Sequence, residues 1–210
     1  MRDTSVRASP LIEWAVATLA LPGQTESGDL HLVKPLSCGT LVAVVDGLGH
    51  GVEAAAAARR AVATLGENAD EFLLPLVERC HAALHGSRGV VMSLAYLHAG
   101  RHTLTWLGVG NVEGVLKYAD GAAQPARASL ITRGGIVGSE LPRLRAEVLR
   151  VAPGDLLIFA TDGIKQGFAD ALLTDASPQQ LADDILARYS KGTDDALVLV
   201  ARYLGRAPRA

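Results

Sequence analysis

Strand-like segments follow one another in blocks along this sequence, and helix-like segments are few. Helices are predicted at 52–65, 70–85 and 177–189, the first two as an adjacent pair. Strands are predicted at 11–21, 30–33, 41–45, 90–98, 102–109, 112–118, 129–132, 146–151, 156–160 and 196–203. Parallel sheets need a crossover helix between nearly every two strands. The order therefore predicts an α+β fold, in which antiparallel sheets form a sandwich flanked by helices.

The composition favours one folded domain over residues 1–210. Hydrophobic residues make up 49% of the chain, which is enough for a real core. The 22 acidic residues nearly balance the 20 lysines and arginines, and a nucleic-acid partner would require excess basic charge. The first ten residues do not lead into a signal-peptide apolar region, and no apolar run is long enough to span a bilayer. We therefore expect a cytoplasmic protein with no nucleic-acid partner and no membrane insertion.

Several aspartates stand where a buried apolar strand begins or ends. They are Asp29, Asp46, Asp162 and the adjacent pair Asp194 and Asp195. If these strand ends converge, several carboxylates meet away from water, which is costly unless a cation compensates them. Mg²⁺ and Mn²⁺ prefer such oxygen ligands. Each Asp-Gly taken singly is most simply a turn, so a metal site and a set of turns both remain open at this point.

Other motifs indicate no competing chemistry. The glycine-rich segment 47–51 follows a strand and precedes a helix, but its spacing differs from that of a dinucleotide-binding loop. His81 and His85 are four residues apart on a predicted helix, where two partly exposed histidines are the simpler interpretation than a metal pair. Cys80 is expected in the core. No serine or cysteine nucleophile motif is present, which disfavours covalent catalysis.

Taken in order, the acidic motifs resemble those of the metal-dependent protein serine/threonine phosphatases (PPM, type 2C), and most closely the SpoIIE-like branch. The segments that carry the resemblance are Ser27-Gly28-Asp29, Val44-Val45-Asp46-Gly47-Leu48-Gly49-His50-Gly51, Ala160-Thr161-Asp162-Gly163 and Thr193-Asp194-Asp195-Ala196. The likeness therefore covers most of the chain. It implies a four-layer αββα sandwich with two Mn²⁺ or Mg²⁺ ions in a cleft at one end.

The resemblance also implies a role for each acidic residue. Asp46 would bridge the two ions, the Gly47 carbonyl and Asp29 would complete one site, and Asp162 and Asp194 would complete the other. Asp195 would be either an auxiliary ligand or a supporting residue. Asp29, Asp46, Asp162 and Asp194 would be the catalytic set. A water activated by the ions would then hydrolyse phosphoserine or phosphothreonine without a phosphoenzyme.

Two departures from the family pattern concern the substrate. Eukaryotic members of the family resembled here have a histidine directly after the Asp-Gly pair, where this chain has Leu48; His50 could substitute, or could simply stand at the start of the helix. A phosphate-binding arginine is not evident, since Arg2 and Arg7 are the only arginines before Asp29.

The resemblance implies that the loop that contains Gly134, Gly135 and Arg143 lies over the cleft and helps to bind the substrate. The arginines of this loop (Arg133, Arg143 and Arg145) could attract a phosphorylated partner, or could simply be solvated loop charges. The branch implies phosphorylated STAS-domain stressosome proteins as partners. Two alternatives remain: a catalytically weak pseudophosphatase that acts as a docking module, and a hydrolase of small phosphoesters.

Overall fold

The fold consists of ten strands and three helices within the residues that the computed structural model describes, which are 11–121, 123, 125–170 and 175–205. The helices are α1 (Val52–Glu67), α2 (Leu73–Ala83) and α3 (Pro178–Tyr189). The strands are β1 (Ile12–Leu19), β2 (Asp29–Leu36), β3 (Gly39–Gly47), β4 (Val90–His98), β5 (Thr103–Val109), β6 (Glu113–Lys117), β7 (Arg127–Ser129), β8 (Glu147–Arg150), β9 (Leu156–Ala160) and β10 (Ala196–Tyr203). Arg2 and Arg7 lie outside the described residues.

The strands form two five-stranded sheets, and every named strand pair is antiparallel. The first sheet has the order β1-β10-β9-β6-β7, and the second has the order β2-β3-β4-β5-β8. Hairpins join β2 to β3 and β4 to β5, whereas β1 pairs with β10 from the other end of the chain. The predicted antiparallel α+β sandwich is confirmed.

Successive side chains of the central strands point to opposite faces of their sheet. The core therefore has three layers, one between the two sheets and one between each sheet and its helices. In β10, Leu197 and Leu199 point between the sheets, whereas Val198 and Val200 point toward α3. In β3, Val42 and Val44 likewise point between the sheets, whereas the side chains of residues 41, 43 and 45 point toward α1 and α2. Because both faces of these strands are covered, their sequences read as continuous apolar runs. The layer order is therefore helix, sheet, sheet, helix, as the αββα expectation required.

Several element boundaries differ from the sequence prediction, most of them by one to three residues, and the structure gives a cause for three of them. The second helix begins at Leu73 with Phe72 as its N-cap, not at Asp70, because 68–71 form a turn in which the Glu71 N–H donates to the Asn68 carbonyl (3.0 Å). β1 ends at Leu19 rather than at 21. β7 covers 127–129 instead of 129–132, because the chain then leaves the first sheet, and Arg133 bridges to Val109 of the second.

The last helix was predicted at its true position. Ser177 is the N-cap, its hydroxyl accepts the Gln180 N–H, and the Gln180 side chain accepts the Ser177 N–H in return. Pro178 occupies the first helical position, where its missing N–H costs nothing. None of the described helices has both the length and the apolar character needed to cross a membrane.

Candidate metal centre

Asp29 and Asp46 lie directly opposite each other on neighbouring strands. Asp29 is the first residue of β2, Asp46 is the last but one of β3, and the two are register partners. Residues paired in this way have their Cβ atoms about 5 Å apart on the same face of the sheet. The Gly47 N–H donates to the Gly28 carbonyl (3.0 Å) and continues the pairing beyond the strand end. The second sheet thus contributes two carboxylates at one edge.

The first sheet brings its acidic residues to the same place. Asp162 lies two residues after the end of β9, and Asp194 and Asp195 directly precede β10, whose Val198 pairs with Ala160. The Thr161 hydroxyl donates to Asp29 Oδ2 across the gap between the sheets (2.7 Å) and accepts the Leu197 N–H (2.9 Å). Thr161 therefore joins the acidic ends of the two sheets.

The carboxylates differ in how many hydrogen bonds their oxygens accept from the rest of the protein. Asp195 accepts the Leu21 N–H with Oδ1 (2.8 Å) and the Gly28 N–H with Oδ2 (2.7 Å), so it tethers the segment that leads into β2. This is also why β1 stops short, since the Leu21 N–H is bound to Asp195. Asp194 Oδ1 accepts the neighbouring Asp195 N–H (2.9 Å). Within the described residues, the Asp46 carboxylate has neither a hydrogen bond nor an ion pair.

The electrostatics show that this negative charge is uncompensated. Burial is the largest cause that raises the pKa of Asp46 to about 9, and the carboxylates of Asp29, Asp162, Asp194 and Asp195 contribute to the same rise in that order. Burial likewise raises the pKa of Asp29 to about 7, although the hydrogen bond from Thr161 opposes the rise. Like charges that share a buried site disfavour each other's ionisation. The five aspartates are therefore electrostatic neighbours, as the metal hypothesis required of them.

Two glycines allow the strand ends to pack this closely. A Cβ on Gly47 would lie 2.2 Å from the Ala54 carbonyl oxygen, so any side chain there would push the start of α1 away from β3. A Cβ on Gly163 would lie 2.0 Å from the Asp195 carbonyl oxygen. Each glycine directly follows an aspartate of the cluster. The Asp-Gly pairs are thus positions where backbone from another element comes into close contact.

The donor set fits a hard divalent cation. It consists of carboxylates with the Gly47 carbonyl, all oxygen donors of the kind that Mg²⁺ and Mn²⁺ prefer. In the described ranges, no group of three or more Asp, Glu, His or Cys side chains is arranged in a way that could hold a metal ion as it stands. The oxygens left free on Asp46, and on Asp29 beside its Thr161 bond, are the ones available to an ion.

The predicted substrate loop docks at the same edge of the second sheet. Val137 forms a bridge with Val90, which pairs with Gly47, and Arg133 forms one with Val109 at the end of β5. Gly134 and Arg143 are exposed, and Gly135 is half-buried. His50 is exposed in the loop between β3 and α1, and makes no hydrogen bond to any described residue. Their role in binding the substrate stays a prediction.

The predicted histidine pair holds a loop, and only His81 lies on α2, since the helix ends at Ala83 and His85 follows its C-cap. His81 Nδ1 accepts the Gly138 N–H (2.9 Å), and the His85 ring packs edge-on against His81 with 4.7 Å between centroids. The pair therefore holds the end of the 133–138 loop against α2. Cys80 is buried beside them, as expected.

Sequence reasoning missed the residues that support the carboxylates. Asn111 Nδ2 donates to Asp162 Oδ2 (2.9 Å), and Lys191 Nζ donates to the Asp162 carbonyl (2.5 Å). Thr161 was quoted in a motif but was given no role. Its signal was a hydroxyl directly after an all-apolar strand, where an isolated buried polar group needs a partner. Lys191 carries no comparable signal in the sequence.

Known proteins share both the sequence pattern and the fold. The profile of the Stage II sporulation protein E (SpoIIE) family matches residues 38–204. Phosphoserine phosphatase RsbX of Bacillus subtilis (strain 168) is 25% identical over 191 residues, which are 90% of this chain and 93% of that protein.

Two solved structures extend the likeness to three dimensions. One is a chain from work on the bacterial stressosome as a modular system adapted to control secondary messenger signalling; it has a TM-score of 0.82 and 29% identity, over 91% of this chain and 99% of that one. The other is the crystal structure of RsbX in complex with magnesium, with a TM-score of 0.84 and 22% identity, over 95% of this chain and 98% of that one. At that identity, the RsbX crystal structure shows the common fold.

Proposed function

Because the chain belongs to the Stage II sporulation protein E (SpoIIE) family, we propose that it is a cytoplasmic, metal-dependent phosphatase of phosphoserine and phosphothreonine in proteins. The observation that carries the proposal is the convergence of five aspartates from both sheets, none of which forms an ion pair among the described residues. Such a cluster is costly to keep unless it binds cations. The family supplies the reaction that those cations serve.

The proposed ligands are those that the family resemblance implies, and the free oxygens of Asp46 and Asp29 support them. Asp29, Asp46, Asp162, Asp194 and the Gly47 carbonyl would hold two ions. Mg²⁺ or Mn²⁺ bound there would supply a water of lowered pKa and would neutralise charge on the phosphoryl oxygens. Asp195 would act as a supporting residue, because both of its oxygens already accept backbone N–H groups.

The side chains around the cluster favour direct attack by water. The Thr161 hydroxyl donates to Asp29 and accepts from Leu197, so it is not free to act as a nucleophile. Ser27 Oγ accepts the Asp29 N–H (3.1 Å) and orders the entry into β2. No phosphoenzyme is therefore needed.

The leaving serine oxygen must receive a proton from elsewhere. Leu48 follows the Asp-Gly pair and packs against the core between the sheets, so it has no proton to give. His50 is exposed two residues later. The proton is then supplied by water or by His50, and a His50→Ala variant separates the two sources.

The substrate part of the proposal rests on the relatives. RsbX is named a phosphoserine phosphatase, and the structure at 29% identity comes from work on the stressosome. We propose stressosome proteins as the substrates, and the family resemblance implies that these are phosphorylated STAS-domain proteins. Arg133, Arg143 and Arg145, on the loop beside the cluster, would contact such a phosphoprotein.

Three substrates compared under one set of conditions test this proposal. A phosphorylated STAS-domain protein, an unrelated phosphoserine protein and an aryl phosphate are incubated with Mn²⁺, and released phosphate is measured. The STAS-domain protein is expected to give the highest kcat/KM, and Asp46→Asn to abolish release from all three. Asp183→Asn on exposed α3 is the matched control and should retain activity. A preference for the aryl phosphate would instead favour a small-phosphoester hydrolase.

A further inference from the structure

A groove of about 500 Å³ lies beside the loop that follows Asp46. It runs between the exposed side of α1 and the turn that leads into β4, and its lining residues are Glu53, Ala56, Ala57, Arg60, Gly86, Ser87 and Arg88. None of these residues belongs to the carboxylate cluster. The two alanines leave room between the longer side chains, so an extended peptide can enter.

Arg88 connects this groove to the site. Its Nη1 lies 2.7 Å from the point where a Cβ on Gly49 would stand, so the guanidinium covers the 47–51 loop. The Leu48 N–H donates to the Gly89 carbonyl (3.2 Å), which fixes the turn against that loop. Gly49 is three residues after Asp46, so their Cα atoms are at most about 11 Å apart.

The charge of the groove is positive. Arg88 pairs with Glu53, whereas Arg60 is exposed and makes no ion pair within the described residues. The Ser87 hydroxyl is occupied locally, since it donates to the Leu84 carbonyl (2.6 Å) and accepts the Gly89 N–H (3.1 Å). Two guanidinium groups against one carboxylate leave a net charge of +1, and guanidinium groups bind carboxylates in a bidentate geometry.

From this geometry we infer that the groove binds an acidic side chain of the substrate, three to six residues away from the phosphoserine. Arg60 lies seven residues beyond Glu53 on α1, which adds about 10 Å to the span of about 11 Å between Asp46 and Gly49. An extended peptide advances about 3.3 Å per residue, so the two ends of the groove correspond to about three and about six residues. Arg60 holds the acidic side chain, and Arg88 guides the peptide over Gly49 toward the cluster. The inference rests on the proposed phosphatase function, which it narrows to phosphoserines with an acidic neighbour.

Fluorescent phosphoserine peptides test this preference in the wild-type protein. One peptide has neutral neighbours, and the others carry a glutamate at one of the positions from three to six residues before or after the phosphoserine. With Mn²⁺, kcat/KM for the best acidic peptide should exceed that for the neutral one by about two- to fivefold. The ratio should approach one in 0.5 M NaCl, because salt screens exposed charges. Equal kcat/KM for all peptides at low salt would overturn the inference and leave the phosphatase function intact.

A charge reversal assigns the preference to the groove. Arg60→Glu should bring the acidic-to-neutral ratio to one or below, whereas Arg188→Glu, on α3 against the other sheet, should keep the wild-type ratio. A ratio unchanged by Arg60→Glu would contradict the assignment. Fluorescence anisotropy measures the affinity of the same peptides for Asp46→Asn, in which no hydrolysis is expected. A binding preference for the acidic peptides with no hydrolysis by wild type would support the groove and refute the phosphatase function.

Discussion

Replacing Asp46 with asparagine should make the metal-free protein more stable, although it removes a proposed metal ligand. Burial and four neighbouring carboxylates raise the pKa of Asp46 from 3.8 to about 9. Its carboxylate accepts no hydrogen bond from the described residues, so the substitution sacrifices none there. The new amide keeps the size of the side chain, and can donate to the neighbouring carboxylates.

The magnitude follows from proton linkage. Between pH 3.8 and pH 9 the unfolded chain releases a proton that the folded chain keeps, so stability falls as the pH rises through this window. Each pH unit corresponds to about 1.4 kcal/mol, which gives an upper bound of about 4 kcal/mol at pH 7. Local relaxation and water reduce this value. We expect Asp46→Asn to gain about 1–4 kcal/mol at pH 7, and progressively less as the pH approaches 4.

Urea unfolding in EDTA, followed by circular dichroism between pH 4.5 and pH 8, measures this gain. Asp183→Asn, an exposed substitution on α3, should stay within about 0.5 kcal/mol of wild type throughout. Adding Mg²⁺ should stabilise wild type and have little effect on Asp46→Asn. A metal-free Asp46→Asn protein no more stable than wild type at pH 7 would refute the view that the cluster is electrostatically strained.

Three further substitutions test the supporting contacts. Thr161→Val removes the donor to Asp29 and leaves the buried Leu197 N–H without its acceptor, so unfolding free energy measured in urea should fall by about 1–3 kcal/mol; a loss below about 0.5 kcal/mol would contradict the link between the sheets. Gly47→Ala should lower the melting temperature and weaken Mn²⁺ binding measured by calorimetry, because its Cβ meets the Ala54 carbonyl, whereas Gly121→Ala, with open space around it, should do neither. His81→Ala should speed amide exchange at Gly138, measured by hydrogen–deuterium exchange, and an unchanged rate would show that the histidine does not hold the loop.

Local patterns were enough to locate most of the strands and helices. The runs at 90–98, 156–160 and 196–203 were predicted with their true bounds, because continuous apolar strands end sharply at polar or glycine residues. Aspartate is a common N-cap, so the sequence predicts a helix start at Asp70, whereas residues 68–71 form a turn and the exposed Phe72 is the N-cap. Partners distant in sequence, such as β1 and β10, leave no trace in local periodicity.

The sequence predicted the carboxylates of the candidate metal centre, but it did not predict the residues that hydrogen-bond to them. A carboxylate beside an apolar strand stands out, because buried charge is rare without a reason. The bond from Thr161 to Asp29 depends on how two sheets stack, and no spacing within one strand encodes it. The same holds for Asp195, whose two oxygens bind backbone amides 174 and 167 residues away. The family resemblance grouped these carboxylates into one site, and the three-dimensional structure revealed the hydrogen bonds that support them.

Phosphate released from a phosphoserine peptide during a Mn²⁺ titration tests the central claim most directly. Wild type and Asp46→Asn are titrated in parallel from EDTA to millimolar Mn²⁺. Release should be absent in EDTA, rise to saturation with Mn²⁺ in wild type, and stay at background in Asp46→Asn at every concentration. Saturating release by Asp46→Asn, or release by wild type in EDTA, would contradict a phosphatase site built on these strand-end aspartates.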